Sequence, residues 1–231
     1  MNIAVLGTGM VGQALAGRLD ALGHSVVVGT RDPQATQART EPDGMGNPPF
    51  SAWHAQHPAV GLATFAEAAA GADLVFNASS GEAALELLRL AGAENLAGKV
   101  LVDIANPLDF SAGFPPTLFV KDTDSLGEQI QRAFPETKVV KTLNTLNASL
   151  MVEPKTLGES STVFVSGDDP EAKATVTGLL QSFGHEDVID LGGIETARGP
   201  EMWLPLWIRI NLALGGNDFN IKVVRGPSLR K

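Results

Sequence analysis

The chain contains no cysteine and no tyrosine. Without cysteine there is no thiol nucleophile, disulfide, iron–sulfur cluster or cysteine–zinc site. Without tyrosine, any reductase chemistry that uses a tyrosine as general acid is excluded. Bases are scarce too. Seventeen Lys and Arg against 26 Asp and Glu leave a net charge of -9, which argues against nucleic acid and anionic membrane surfaces as partners. No apolar run approaches the ~18–20 residues that span a bilayer. Residues 1–7 carry no base ahead of their apolar stretch, so they lack the form of a signal peptide. A soluble, cytoplasmic protein is the expectation. Of the four histidines, His54 and His57 stand three apart, but with no acidic partner nearby, so no metal site is expected. Neither Gly-x-Ser-x-Gly nor a phosphate loop ending in Gly-Lys-Ser/Thr occurs, and nothing nominates a catalytic acid–base pair.

What is present suits a globular chain of 231 residues: 44% hydrophobic and 19% charged, a composition that excludes disorder. Short β-branched runs alternate with Ala- and Leu-rich segments as far as about residue 190. Strands are expected at 2–7, 25–29, 60–63, 73–78, 99–104, 138–142, 162–166 and 187–191. Helices are expected at 10–22, 33–40, 65–70, 82–91, 125–134 and 170–183. Continuous apolar strands joined by helices imply right-handed crossovers and a parallel sheet buried on both faces. The fold class is therefore α/β, a Rossmann-type doubly wound parallel sheet with a small C-terminal helical element. Residues 41–50, dense in Pro and Gly, are expected to be loop. After residue 190 the strand pattern stops, and 198–214 is expected to be one helix. That divides the chain into a dinucleotide-binding domain, 1–192, and a C-terminal segment, 193–231.

The informative motif is Gly7-Thr8-Gly9-Met10-Val11-Gly12. It follows an apolar strand and opens an Ala-rich helix, the context that gives a glycine pattern meaning. Gly7 makes the tight turn, Gly9 lets backbone approach a pyrophosphate, and Gly12 lets helix and strand pack closely. The N–H groups at the helix start then hold phosphates. An NAD site usually ends its second strand with an acid that binds the ribose 2′-hydroxyl. Here that strand ends Gly29-Thr30-Arg31-Asp32. Thr30 can donate to a 2′-phosphate and Arg31 can fork onto it, so NADP is the expected cofactor. Asp32 is expected to cap the next helix, with Pro33 at its first position. Ala78 and Ser79, Asn106, and Asn144 follow three later strands and are expected to face the nicotinamide. Asp103, inside an apolar strand, is expected to be structural and hydrogen-bonded to neighbouring loops.

With these motifs in hand, the chain resembles the NADPH-dependent reductases of 8-hydroxy-5-deazaflavin. The dinucleotide domain of eukaryotic membrane ferric reductases is a relative of that family. The resemblance rests on residues 7–12, 29–31, 139–145 (Val-Val-Lys-Thr-Leu-Asn-Thr), 167–169, Arg198, Glu201, Pro205-Leu206 and 222–224. It implies Thr8, Gly9, Met10 and Val11 on the pyrophosphate, and Thr30 and Arg31 on the 2′-phosphate. It also implies a homodimer and hydride transfer between NADP and coenzyme F420, a deazaflavin. Two departures stand out. Ala78-Ser79-Ser80 replaces a Pro-Trp pair, and Asn144 replaces a histidine, so a flavin is kept beside the deazaflavin as ring acceptor. A non-catalytic NADPH sensor is the alternative. A dehydrogenase of imino or hydroxy acids fits less well, because only some 40 residues follow the last strand. From 197 to 231 six bases (Arg198, Arg209, Lys222, Arg225, Arg230, Lys231) face two acids. That segment is expected to hold an anionic acceptor, and its Trp203, Leu204, Leu206, Trp207, Ile208 and Ile210 to be buried, in part at a dimer face.

Overall fold

The computed structural model describes residues 1–42 and 46–229, so Arg230 and Lys231 of the basic tail lie outside the described residues. The first half runs β1 (Asn2–Leu6), α1 (Met10–Ala21), β2 (Ser25–Thr30), α2 (Pro33–Ala38), α3 (Phe50–His54), β3 (Gly61–Thr64), α4 (Phe65–Ala70) and β4 (Leu74–Asn77). It continues with α5 (Gly81–Ala91), α6 (Ala93–Leu96), β5 (Val100–Asp103) and a small antiparallel hairpin, β6 (Leu108–Asp109) and β7 (Thr117–Leu118). Then come α7 (Leu126–Ala133), β8 (Lys138–Lys141), α8 (Ala148–Val152), β9 (Thr162–Ser166), α9 (Pro170–Phe183) and β10 (Asp187–Gly192). The chain closes with α10 (Arg198–Met202) and α11 (Leu204–Leu214).

Side-chain alternation along the strands divides the interior in two. Ile3 and Val5 of β1 face one layer with Leu15 and Leu19 of α1, while Ala4 and Leu6 face Ala68 and Ala69 of α4 on the other side. Both faces are covered, which is why these strands carry no polar alternation. The eight-stranded sheet has the order β10-β9-β8-β5-β4-β1-β2-β3. The chain moves outward from β1 to β3, then crosses back to lay β4 against β1. The crevice outside their carboxyl ends is where such sheets bind ligands.

Local chemistry sets the helix starts. Asp32 accepts from the Ala35 N–H with Pro33 behind it, and Thr64 and Glu67 form a reciprocal capping box on α4. The expected parallel sheet holds for six strands. The last two, β9 and β10, run the other way, with Lys141 paired to Ser166 in antiparallel register. The cause is the connection: residues 142–161 return the chain at the carboxyl edge through α8, which packs on α1. Residues 198–214 are two helices rather than one, because Pro205 has no N–H to give the carbonyl of Glu201. The loop expected at 41–50 ends one residue early, where Phe50 starts α3, and its residues 43–45 lie outside the described residues.

Candidate functional site

Gly7 and Gly12 are where they must be glycine. Gly7 has φ +135°, and a Cβ there would lie 2.6 Å from the Ala78 carbonyl oxygen. A Cβ on Gly12 would lie 2.1 Å from the Gly7 carbonyl oxygen, so α1 can pack on the turn only without a side chain. Gly9 differs: its Cβ direction is open space, and as N-cap it supplies no side-chain hydrogen bond to the first turn of α1. The N–H groups of that turn are offered outward, with the positive end of a 12-residue helix behind them. Gln13, which the sequence did not single out, donates from Nε2 to the Thr8 carbonyl at 2.9 Å and steadies the loop.

Two hollows meet at this helix start, and Met10 lines both. The smaller, about 90 Å³, is lined by Thr8, Gly9, Gln13, Thr36 and Arg39 among others. The larger, about 540 Å³, runs from Met10 and Val11 past Ala78 and Ser79 to Ala105 and Asn106. Its far wall is Leu146, Met151 and Phe110, with Asn217 at the tail. One hollow on each side of uncapped helix N–H groups is the shape a dinucleotide needs, its pyrophosphate over the helix start.

At the tip of β2 the two expected phosphate ligands differ in freedom. Thr36 donates its hydroxyl proton to the Asp32 carbonyl at 2.7 Å, so Thr30 must be the donor in the 2.8 Å contact between the two hydroxyls. Thr30 is buried, and its donor capacity is used inside the fold. Arg31 is exposed and touches Glu86 at 3.2 Å. An ion pair so open to water contributes little and is readily exchanged for a phosphate. Arg39, exposed on the smaller hollow, is a second cation that sequence reasoning missed, since it lies outside every motif.

Ala78, Ser79 and Asn106 line the larger hollow, but Asn144 does not. Asn144 is 2% exposed; its Nδ2 donates to Asn106 Oδ1 and the Pro200 carbonyl, both at 3.0 Å. Asn106 Nδ2 donates back to the Asn144 carbonyl at 2.9 Å. Asn144 therefore braces Asn106 from behind instead of facing the cavity.

Asp103 lies at the centre of a buried network. Its Oδ2 accepts from Lys141 Nζ at 2.8 Å, and its Oδ1 from Asn77 Nδ2 at 2.8 Å and the Ala105 N–H at 3.3 Å. Lys141 also meets Glu201 at 2.8 Å and the Ala105 carbonyl, so its three donors are all used. Burial pulls the Lys141 pKa down, but the carboxylates of Asp103 and Glu201 outweigh it and hold the ammonium above the ordinary lysine value. Glu201 accepts in turn from the N–H groups of Leu126 and Gly127, at 2.8 and 3.0 Å, at the start of α7. Asp103 is structural, as its place in an apolar strand suggested; Lys141 and Glu201 were not foreseen as its partners.

The basic tail is less free than its composition implied. Arg198 Nε donates to Glu128 at 2.8 Å and Arg225 pairs with Asp187 at 2.7 Å, so two of the four described bases expected to hold the acceptor's anion are engaged by acids of the folded domain, while Arg209 and Lys222 are exposed. Of the apolar tail residues, Leu204 and Ile208 are buried but Leu206 is 50% exposed. Among the described residues no group of three or more His, Asp or Glu could hold a metal. None of the described helices is long and apolar enough to cross a membrane.

Comparison with known proteins agrees with this geometry. Residues 2–107 match the family model described as NADP oxidoreductase, coenzyme F420-dependent. A crystal structure from Arthrobacter sp. FB24, described provisionally as an F420-dependent NADP-reductase, is 63% identical. It superposes with a TM-score of 0.94 over 97% of this chain and 100% of that one. The F420-dependent NADP reductase of Methanocaldococcus jannaschii is 28% identical across 96% of this chain and 98% of its own. The rat metalloreductase STEAP3 is 31% identical over 93% of this chain, which spans only 39% of that longer protein. The glycine turn and the hollows on either side of it thus lie in a chain that belongs to the coenzyme F420-dependent NADP oxidoreductases.

Proposed function

We propose that this NADP-dependent oxidoreductase transfers a hydride between NADP(H) and a deazaflavin of the coenzyme F420 type, with a flavin ring as the nearest substitute. One observation carries the reading: a single cavity continues from the first turn of α1 to the ends of β4 and β5, with an apolar wall opposite. Bound NADP(H) supplies the hydride chemistry itself; the protein's work is to hold, stack and keep water away. In this reading the first-turn N–H groups of α1 take the pyrophosphate and Arg31 takes the 2′-phosphate. Ala78, Ser79 and Asn106 edge the nicotinamide, and Leu146, Met151 and Phe110 flank the second ring. Glu82 is the one titratable side chain lining the cavity among the described residues, and it is exposed. The hydride passes directly from one flat ring to the other, and the proton that the reduced acceptor takes up on a ring nitrogen comes from solvent, so no protein acid or base is required. Residues 1–192 are the NADP-binding unit, and 193–231 serve the acceptor side and a homodimer.

The test is anaerobic oxidation of NADPH with coenzyme F420, flavin mononucleotide and a neutral quinone in parallel. Turnover with F420, fastest of the three and with a kcat that hardly changes between pH 6 and 8, is the expected result. Binding of NADPH with no turnover on any ring would make the protein a sensor.

A further inference from the structure

Ser79 reaches the cavity at the end of a chain of buried polar groups whose direction is set by a charge. Lys141 can only donate, so Asp103 accepts from it. Asp103 Oδ1 also faces the Asn77 amide at 2.8 Å, which fixes Nδ2 on that side and leaves Asn77 Oδ1 pointing the other way. Oδ1 can only accept. It takes the Ser79 hydroxyl at 2.7 Å and the Ser79 N–H at 3.4 Å. The other neighbour of the hydroxyl, the Ser80 carbonyl at 3.1 Å, is an acceptor as well. Asn77, Asp103 and Lys141 are each essentially fully buried, so no water competes to reverse the order. The single proton of Ser79 is committed inward, and its oxygen presents only lone pairs to the cavity.

We propose that Ser79 is the acceptor that reads an N–H donor on the ring held in this cavity, the amide NH2 of the nicotinamide carboxamide. This rests on the NADP reading above and adds to it a specificity-determining contact, with Asn77 and Asp103 as the residues that position it. A serine free to turn would satisfy a donor or an acceptor equally; this one discriminates between them.

The experiment measures equilibrium binding of three probes to the wild type, Ser79→Ala and Ser79→Thr. The probes are NADP, its 3-acetylpyridine analogue (a methyl in place of the amide NH2), and 2′-phospho-ADP-ribose, which has no nicotinamide. Wild type should prefer NADP to the analogue by about five- to tenfold, the worth of one hydrogen bond. Ser79→Ala should bring that ratio close to one, and Ser79→Thr, which keeps the hydroxyl, should restore it. The ADP-ribose fragment should bind all three proteins alike, which shows that the variants are folded and the phosphate sites intact. An unchanged ratio in Ser79→Ala, with the fragment still bound, would overturn the assignment. Failure of the fragment to bind wild type would overturn the NADP reading and this inference with it.

Discussion

Lys141 is fully buried between two carboxylates, and the cost of burying that charge is met only because every donor is used. Removing one member of such a group strands the others. Lys141→Met should destabilise the protein by about 3–5 kcal/mol in urea unfolding, because Asp103 and Glu201 would then face each other unpaired. A loss under about 1 kcal/mol would mean that water reaches the network. This is also where the sequence was least legible. An acid inside an apolar strand is conspicuous, and its structural role follows from the cost of an unpaired buried charge. Its partners are not conspicuous. Lys141 ends a strand that looks like any other, and Glu201 comes 60 residues later in a segment whose bases drew attention instead. Asn144 misled for a related reason: an amide after a strand can line a cavity or brace its wall, and only the neighbours decide.

At the scale of elements, strand and helix positions were readable because each carries its own period or cap. Segments 65–70, 162–166 and 170–183 have the bounds that the sequence alone predicts. Strand direction is not local. Nothing within Thr162–Ser166 records that the chain arrives from the carboxyl edge, so β9 and β10 were expected parallel to the rest. The short helices α3 and α8 escaped because five residues hold too little period to register. The C-terminal helices make a further expectation concrete. Met202, Leu206, Leu212 and Leu214 leave 39, 50, 50 and 67% of their surface open, while Leu204 and Ile208 face inward and Trp207 stacks on Phe219. Such an apolar outer face on a short helix suits a second copy of the chain. Sedimentation at micromolar concentration should give twice the 24.1 kDa chain mass, and Leu206→Glu with Leu214→Glu should return it to the monomer. A wild-type protein that stays monomeric at high concentration would contradict the dimer.

In the molecule as a whole, the order β3-β2-β1-β4-β5 brings the loops after β1, β2 and β4 to one edge. That is why a glycine turn, an exposed arginine and Ser79 lie at one edge of the sheet although about 70 residues of chain separate the first from the last. The glycine motif made this half of the site legible from sequence, since Gly7 and Gly12 answer backbone demands that the turn imposes wherever it occurs. The acceptor half depends on side chains from α8, the 108–110 segment and Asn217, which no local pattern links. In the proposed dinucleotide site the 2′-phosphate lies at the tip of β2, held by Arg31 in place of the acid that would select NAD. Calorimetric titration of the unmutated protein and of Arg31→Ala with NADPH and NADH tests it most directly. NADPH should bind at least about tenfold more tightly than NADH, a difference of about 1.4 kcal/mol, and Arg31→Ala should remove most of that preference while leaving NADH affinity nearly unchanged. Equal dissociation constants for the two nucleotides in the unmutated protein would rule out a 2′-phosphate site at Arg31.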